Sequence, residues 1–219
     1  MINVLLVDDH ELVRTGVRRL LDDTRGIKVI AEACSGEEAL GKVRERRPDV
    51  VLMDVNMPGM GGLEATRKLL KTDPGLKIII CTVHAEEPFP TRLMQAGAAG
   101  YLTKDCGIQE IIKAIRSVSK GERYVCSAIA QQLALSSMPG SAASPFHKLS
   151  QREMQVMLML TQGQNAQEIS DKLCLSPKTV ATYRHRLLEK LGVYNDVELT
   201  RLAMRHGMID TADTRDTTE

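Results

Sequence analysis

The sequence contains no apolar run near the roughly 18 residues that a membrane-spanning helix needs, which argues against a membrane-embedded role. It has no CxxC pair and no Cys/His spacing suited to zinc. Its cysteines (Cys34, Cys81, Cys106, Cys126 and Cys174) are scattered, several within apolar runs. That is the pattern of reduced thiols in a cytosolic protein, not of a disulfide framework. The basic and apolar regions of a signal peptide are missing, since the chain passes directly into the run Ile2–Val7; a cytoplasmic location is therefore expected. Strong net charge is lacking too, at +1 over 219 residues. The basic excess is mildly concentrated in residues 148–209, while residues 210–219 are acidic and read as a disordered tail. This distribution permits nucleic-acid binding by the C-terminal third without establishing it.

What is present suits two ordinary domains. Over residues 1–120, short β-branched runs (Val4–Val7, Val29–Ala31, Val50–Met53, Ile78–Cys81, Ala99–Leu102) alternate with helical patterns such as Glu11–Leu21, Glu37–Arg46 and Leu63–Lys71. None of the runs alternates polar with apolar, so the strands should be covered on both faces, as in a parallel sheet. Five βα repeats predict a five-stranded, doubly wound α/β (flavodoxin-like) domain, whose ligands bind beyond the carboxyl ends of the strands. Residues 121–147 read as a linker, with a possible short helix over 126–135 followed by the small-residue stretch Ser136–Pro145. From residue 148 to 209 the signals are all helical. Ser150 and Glu153 form a capping-box pattern, Asn165 caps a second helix, and Ser176-Pro177 opens a third running to about Leu191. A fourth starts at Asp196. The C-terminal domain is thus expected to be a small all-α unit of four helices.

The candidate chemistry lies at the strand ends. Asp8 and Asp9 close the first strand and Asp54 the third, and those strands are neighbours in a doubly wound sheet, so three carboxylates converge. Mutual repulsion makes such a cluster unfavourable without a cation, and a hard divalent ion such as Mg²⁺ suits it. The plainer alternative is that Asp8 and Asp9 only cap the following helix. Thr82 and Lys104, after the fourth and fifth strands, arrive at the same edge, where a hydroxyl and an ammonium can take phosphoryl oxygens. Together these groups supply most of what phosphoryl transfer requires, with Asp54 as the nucleophile towards a phosphohistidine.

With LLVDDH, VLMDVNMPGMGG, a threonine after the fourth strand and GYLTKD, residues 1–120 resemble a response-regulator receiver domain. That resemblance implies that Asp54 is phosphorylated and that Asp9, Asp54 and the backbone carbonyl of Asn56 hold Mg²⁺, with Asp8 acting through water. It also makes Thr82 the switch hydroxyl and Lys104 the phosphate-binding lysine. Val83 stands where the family usually has a small residue, which leaves open how freely a donor reaches Asp54. Phosphorylation adds nearly two negative charges; Thr82 would move towards them and Tyr101 would turn inward into the vacated space, the plainer alternative for Tyr101 being a half-buried aromatic beside a sheet edge. A phosphatase or phosphotransferase of the haloacid-dehalogenase type also uses an aspartate nucleophile. Its second aspartate is missing here, since Val55 and Asn56 follow Asp54.

NAQEISDKLCLSPKTVATYRHRLLEKLGV reads as helix, tight turn, helix. Lys178, Thr179, Thr182, Arg184, His185, Arg186 and Lys190 make the third helix polar and basic, suited to the major groove of double-stranded DNA. A solvated face on a protein-interaction bundle is the alternative. Residues 149–209 resemble the LuxR-type (NarL/FixJ) DNA-binding domain, through LSQRE, EISDKLCLSPKTV and KLGV. The resemblance implies base contacts from Ala181, Thr182 and His185, and backbone contacts from Lys178, Thr179, Arg184 and Lys190. It makes Glu153 a cap and ion-pair partner. TVATY stands in place of the usual T-V-K-x-H, so the base preferences of other members do not carry over. The family also implies a homodimer when active, with the fourth helix pairing across a two-fold axis; Leu199, Leu202 and Ala203 fit that role and the domain's own core equally well.

EEPFPTRLMQAGAAGYLTK, AIAQQLAL and DVELTRLAMRHGMID narrow the resemblance to the GacA/UvrY/SirA subgroup. This implies a hybrid sensor histidine kinase (BarA/GacS-like) as phosphodonor and small regulatory RNA genes of a carbon-storage-regulator pathway as targets.

Overall fold

Every side chain of Val50–Met53 is buried, as is every one from Val4 to Val7, as strands covered on both faces must be. In the computed structural model, which describes residues 1–83, 89–136, 144–206 and 208–209, these two segments lie at the centre of a parallel sheet. Contacts divide the chain into an N-terminal and a C-terminal unit, each described by itself. Most of the Ser136–Pro145 stretch, and the acidic tail 210–219, fall outside the described residues.

The N-terminal unit runs β1 (Ile2–Val7), α1 (Glu11–Asp22), β2 (Ile27–Ala33), α2 (Gly36–Glu45), β3 (Val50–Met53), α3 (Gly62–Thr72), β4 (Lys77–Thr82), α4 (Phe89–Gln95), β5 (Gly100–Thr103), α5 (Ile108–Ser119), β6 (Tyr124–Val125) and α6 (Ser127–Ser136). The sheet order is β2-β1-β3-β4-β5-β6, which over its first five strands is the flavodoxin-like winding with its switch point between β1 and β3. One expectation is corrected: the sheet has six strands, not five. After a turn at Gly121 (φ +92°), Tyr124 and Val125 pair in parallel with Gly100 and Tyr101. Two residues are too few to carry a periodic signal. The short helix expected near 126–135 is α6.

Register sets the site. Val7 pairs with Met53 and Met53 with Ile80, so Asp8 and Asp54 leave the sheet side by side. The ladder continues past the strands, with Asp8 N–H donating to Ala33 O (3.1 Å), Asp54 N–H to Val7 O (2.9 Å) and Lys104 N–H to Thr82 O (2.8 Å). Rigid backbone therefore carries the charged side chains. Behind Asp54, the loop to α3 folds back so closely that Gly62 N–H donates to Val55 O (2.9 Å). A Cβ on Gly62 would lie 2.0 Å from the carbonyl oxygen of Asp54.

The C-terminal unit contains a 3₁₀ turn (Pro145–Lys148) and α7 (Gln151–Thr161), α8 (Ala166–Leu173), α9 (Pro177–Leu191) and α10 (Asp196–Arg205). The four expected α-helices are present, and each cap is chemical. Ser150 and Glu153 form a full capping box, Asn165 another with Glu168, and Ser176 accepts from Thr179 N–H ahead of Pro177. The turn between α8 and α9 places Cys174 in the left-handed region (φ 52°) and is clasped by Ser170, whose hydroxyl donates to Leu175 O (2.6 Å). Phe146, Ile169, Leu173, Val180, Leu187, Leu199 and Ala203 form the core. Leu199 and Ala203, two of the residues that fitted a dimer contact, are thus taken up by the domain's own packing, in which α10 lies on α7.

Gly62→Ala should lower unfolding stability by about 1–3 kcal/mol, the usual cost of forcing atoms into filled space. Gly16→Ala, in α1 with nothing within 4 Å of its Cβ, should raise stability by up to about 1 kcal/mol through helix propensity. Denaturant titration of both variants checks the pair.

Candidate functional site

Asp8, Asp9, Asp54 and Lys104 meet where the sheet order reverses. Lys104 Nζ lies 2.7 Å from Asp54 Oδ2 and 2.8 Å from Asp8 Oδ2, so one ammonium bridges two carboxylates. All three are largely buried, with side-chain exposures of 16% for Lys104, 3% for Asp54 and 8% for Asp8. The other oxygen of Asp54 accepts from Val55 N–H at 2.6 Å. The other oxygen of Asp8 accepts from His10 N–H at 2.8 Å. Arg14, on α1, donates to the Asp8 carbonyl (2.7 Å) and pairs with Glu32, fixing the turn out of β1.

Burial pushes the Asp54 carboxyl above its ordinary 3.8; Lys104 pulls it back without cancelling the effect, and the charge of Asp8 adds to the rise. Burial by itself would weaken the Lys104 ammonium, but Asp54 and Asp8 together outweigh it and hold the group above 10.5. Burial beside the same carboxylates pushes the Cys81 thiol up to about 12, leaving it un-ionised and unreactive. Asp8, Asp9, His10 and Asp54 each offer a ligand atom, and these lie within 4.8 Å of one another. Asp9 Oδ1 is a buried oxygen without a hydrogen-bond donor. An acidic cluster with more carboxylate than its single lysine can neutralise fits a divalent cation.

Thr82 is fully buried at the end of β4, two positions in sequence past the Ile80 that pairs with Met53. Tyr101 is also fully buried. The half-buried edge position considered for Tyr101 is not found, since its side chain is fully buried. Asn56 follows Asp54 on the same loop, its amide 3.4 Å from Asp54 Oδ1. Val83 is 61% exposed, so its side chain faces solvent and does not fill the site.

In the C-terminal unit, Lys178, Ala181, Thr182, His185, Arg186 and Glu189 are exposed on α9. The spacing of 178, 181, 182, 185 and 189 is that of one helical face. Thr179 is turned to the cap, its hydroxyl 2.8 Å from that of Ser176. Two residues expected to meet DNA backbone have partners inside the unit. Arg184 Nε donates to Asp196 (2.8 Å), joining α9 to the start of α10, and Lys190 Nζ donates to Glu153 (2.7 Å), joining α9 to α7. Glu153 is 3% exposed; burial opposes its charge, yet Lys190 and the Ser150 amide hold its carboxyl below 4.5. The capping-box pattern made Glu153 legible. Asp196, Arg14 and His10 carried no comparable signal, because each gains its role from a partner distant in sequence or from a turn.

Replacing Asp54 by Asn removes a buried charge and a carboxylate repulsion while Lys104 keeps Asp8. Without metal, Asp54→Asn should therefore raise stability, by on the order of 1 kcal/mol. The sign depends on pH. The folded carboxyl holds its proton more tightly than the unfolded one, so the penalty is present at neutral pH and fades as pH falls through the folded pKa towards 3.8. Melting curves from pH 7 downward should show the advantage of Asn shrinking; an advantage that grew on acidification would contradict the assignment.

Residues 4–116 match the response regulator receiver domain family, and residues 147–203 match the luxR family of bacterial regulatory proteins. The chain is 59% identical to the response regulator GacA of Pseudomonas aeruginosa over 213 residues, covering 97% of this chain and 100% of GacA. It is 59% identical to the response regulator UvrY of Escherichia coli K12 over 209 residues, covering 95% and 96%. Among solved structures, RcsB of Salmonella enterica serovar Typhimurium, bound to promoter P1flhDC in the presence of the phosphomimetic BeF3⁻, is similar at a TM-score of 0.67 and 25% identity, covering 92% of this chain and 97% of that one. The chain therefore belongs to the two-component response regulators that carry a receiver domain and a LuxR-type DNA-binding domain, and within them to the GacA/UvrY subgroup.

Proposed function

We propose that Asp54 accepts a phosphoryl group from the phosphohistidine of a hybrid sensor histidine kinase of the BarA/GacS kind, and that this controls binding of the α9 face to double-stranded DNA. The observation that carries the reading is the Lys104 ammonium held 2.7 Å from Asp54 and 2.8 Å from Asp8 at the strand ends. In the transfer, an Asp54 carboxylate oxygen forms the new O–P bond as the N–P bond of the donor breaks, and the imidazole leaves. Lys104 stays with the transferred oxygens, and the Thr82 hydroxyl donates to another. Asp9, Asp54 and the carbonyl of Asn56, with Asp8 through water, would hold Mg²⁺, which offsets the charge of the transferring group when bound. With Thr82 drawn to the phosphoryl oxygens, Tyr101 would turn into the space it leaves, so the phosphoryl group favours one of two arrangements of the β4–β5 surface.

Exposed Leu12 and Val13 at the start of α1, with Val83 after β4, give the phosphodonor protein apolar surface near Asp54. For DNA, Lys178 and Arg186 are suited to phosphates, and Ala181, Thr182 and His185 to base edges. Arg184 and Lys190 contribute through their ion pairs, orienting α9. An active homodimer formed through α10 would use its outward residues, Val197 and Arg201, in place of the buried Leu199 and Ala203. We assign residues 1–120 to the receiver, 121–147 to the linker and 148–209 to the DNA-binding domain of a cytoplasmic regulator. Small regulatory RNA genes of a carbon-storage-regulator pathway are its proposed targets, on the strength of the GacA and UvrY likeness.

Footprinting on genomic DNA with a phosphodonor and Mg²⁺ should show specific protection by wild type that Asp54→Asn and Thr82→Ala lose. Equal protection by all three would refute the switch, and sustained turnover of a phosphate ester would point to an enzyme. Lys178→Ala should weaken binding uniformly across sequences and reduce the salt slope by about 1, measured by titration from low to high salt. Phosphorylation could act by driving dimerisation or by releasing a receiver domain that covers α9 in the unphosphorylated protein; sedimentation with and without a phosphate mimic separates them, since only dimerisation raises the mass.

A further inference from the structure

Among the described residues of the acidic site, His10 is the one nitrogen donor for a metal, and neither the chemistry derived above nor the family resemblance uses its side chain. Its Nδ1 lies 3.1 Å from Asp9 Oδ1 and 3.3 Å from Asp8 Oδ1. Asp9 Oδ1 is a buried oxygen that no hydrogen bond satisfies. The amide of the same residue donates to Asp8 Oδ1 at 2.8 Å, which fixes the turn into α1 and places His10 beside the cluster. The ligand atoms of Asp8, Asp9, His10 and Asp54 lie within 4.8 Å of one another. Ligands about 2.1 Å from a six-coordinate ion stand roughly 3 Å apart along an edge and roughly 4.2 Å apart across the ion. The largest separation is little more than the span across one ion, so Asp9, His10 and Asp54 can close onto a shared cation with Asp8 reached through water, and the imidazole and Asp9 already stand at the spacing of adjacent ligands.

We propose that His10 is a direct ligand of the divalent cation in this site, and that it makes the site selective for borderline transition ions over Mg²⁺. The proposal rests on the acidic cluster being a cation site and adds a fourth donor of different chemistry. An all-oxygen cluster suits Mg²⁺; one imidazole added to it favours ions such as Co²⁺ and Zn²⁺, for which nitrogen is a strong ligand. Lys104 occupies the opposite side, on Asp8 Oδ2 and Asp54 Oδ2, so the imidazole and the ammonium approach Asp8 through different oxygens and do not compete. His10 is 65% exposed on its side chain. It can therefore turn onto an ion without breaking core packing.

The test is metal binding to the full chain, read by calorimetry and, for Co²⁺, by visible absorption, with Mg²⁺ and Co²⁺ as the probes. Wild type should bind Co²⁺ more tightly than Mg²⁺. His10→Gln should lose about tenfold or more in Co²⁺ affinity and change the Co²⁺ spectrum, while Mg²⁺ affinity changes less than about twofold. Equal losses for both ions would mean that His10 acts on the fold of the turn, and no loss for either would mean that it only pairs with Asp8 and Asp9; both outcomes overturn the proposal. Asp9→Asn distinguishes the underlying reading. It should abolish binding of both ions at this site, and if it leaves both unchanged the acidic cluster is not the cation site at all.

Discussion

A single ammonium between two buried carboxylates governs the N-terminal unit. Sheet topology forces Asp8 and Asp54 to emerge side by side, and a site that is nearly closed to water raises the free energy of each charge. Lys104 offsets part of that cost by lying within hydrogen-bonding distance of both. The balance is incomplete, because Asp54 still sits above its ordinary pKa and Asp9 keeps a buried oxygen without a donor. Residual negative charge of this kind is what makes the site receptive to a cation. A phosphoryl group on Asp54 then meets an ammonium already in place. Stability and function thus oppose each other here, as expected where a fold carries charge for chemistry.

Backbone features hold this arrangement. The strand ladder extends one residue beyond β1, β3 and β5, and the loop from Asp54 returns against its own backbone at Gly62, where no side chain fits. In the C-terminal unit, caps and ion pairs play the corresponding part. The Glu153–Lys190 pair ties α9 to α7 at a buried carboxylate, and the half-exposed Arg184–Asp196 pair ties it to α10. The first carries more weight, because breaking it leaves a buried charge that only the cap supports, whereas exposed pairs contribute little. Both keep the exposed face at 178, 181, 182 and 185 in a fixed orientation.

Much of this was legible in the sequence. Apolar runs without alternation implied a buried parallel sheet, and Ser150/Glu153, Asn165 and Ser176-Pro177 marked three helix starts where the structure has them. Asp8, Asp54, Thr82 and Lys104 could be placed at one edge because strand order follows from the winding rule. Three kinds of feature escaped. β6 is two residues long and exists only through pairing with β5. Tyr101 is fully buried, and no local pattern encodes that burial. The partners of Arg184 and Lys190 come from other helices, so a basic helix read in isolation did not show that these two side chains also pair within the fold.

The charge-balance account is tested most directly by the affinity of the intact protein for Mg²⁺, measured calorimetrically in wild type and in Lys104→Met. If the ammonium offsets the same carboxylates that receive the cation, its removal leaves them more negative and Mg²⁺ binds more tightly. An affinity unchanged or weakened in Lys104→Met would show that the lysine and the cation do not share those charges, and the account would fail.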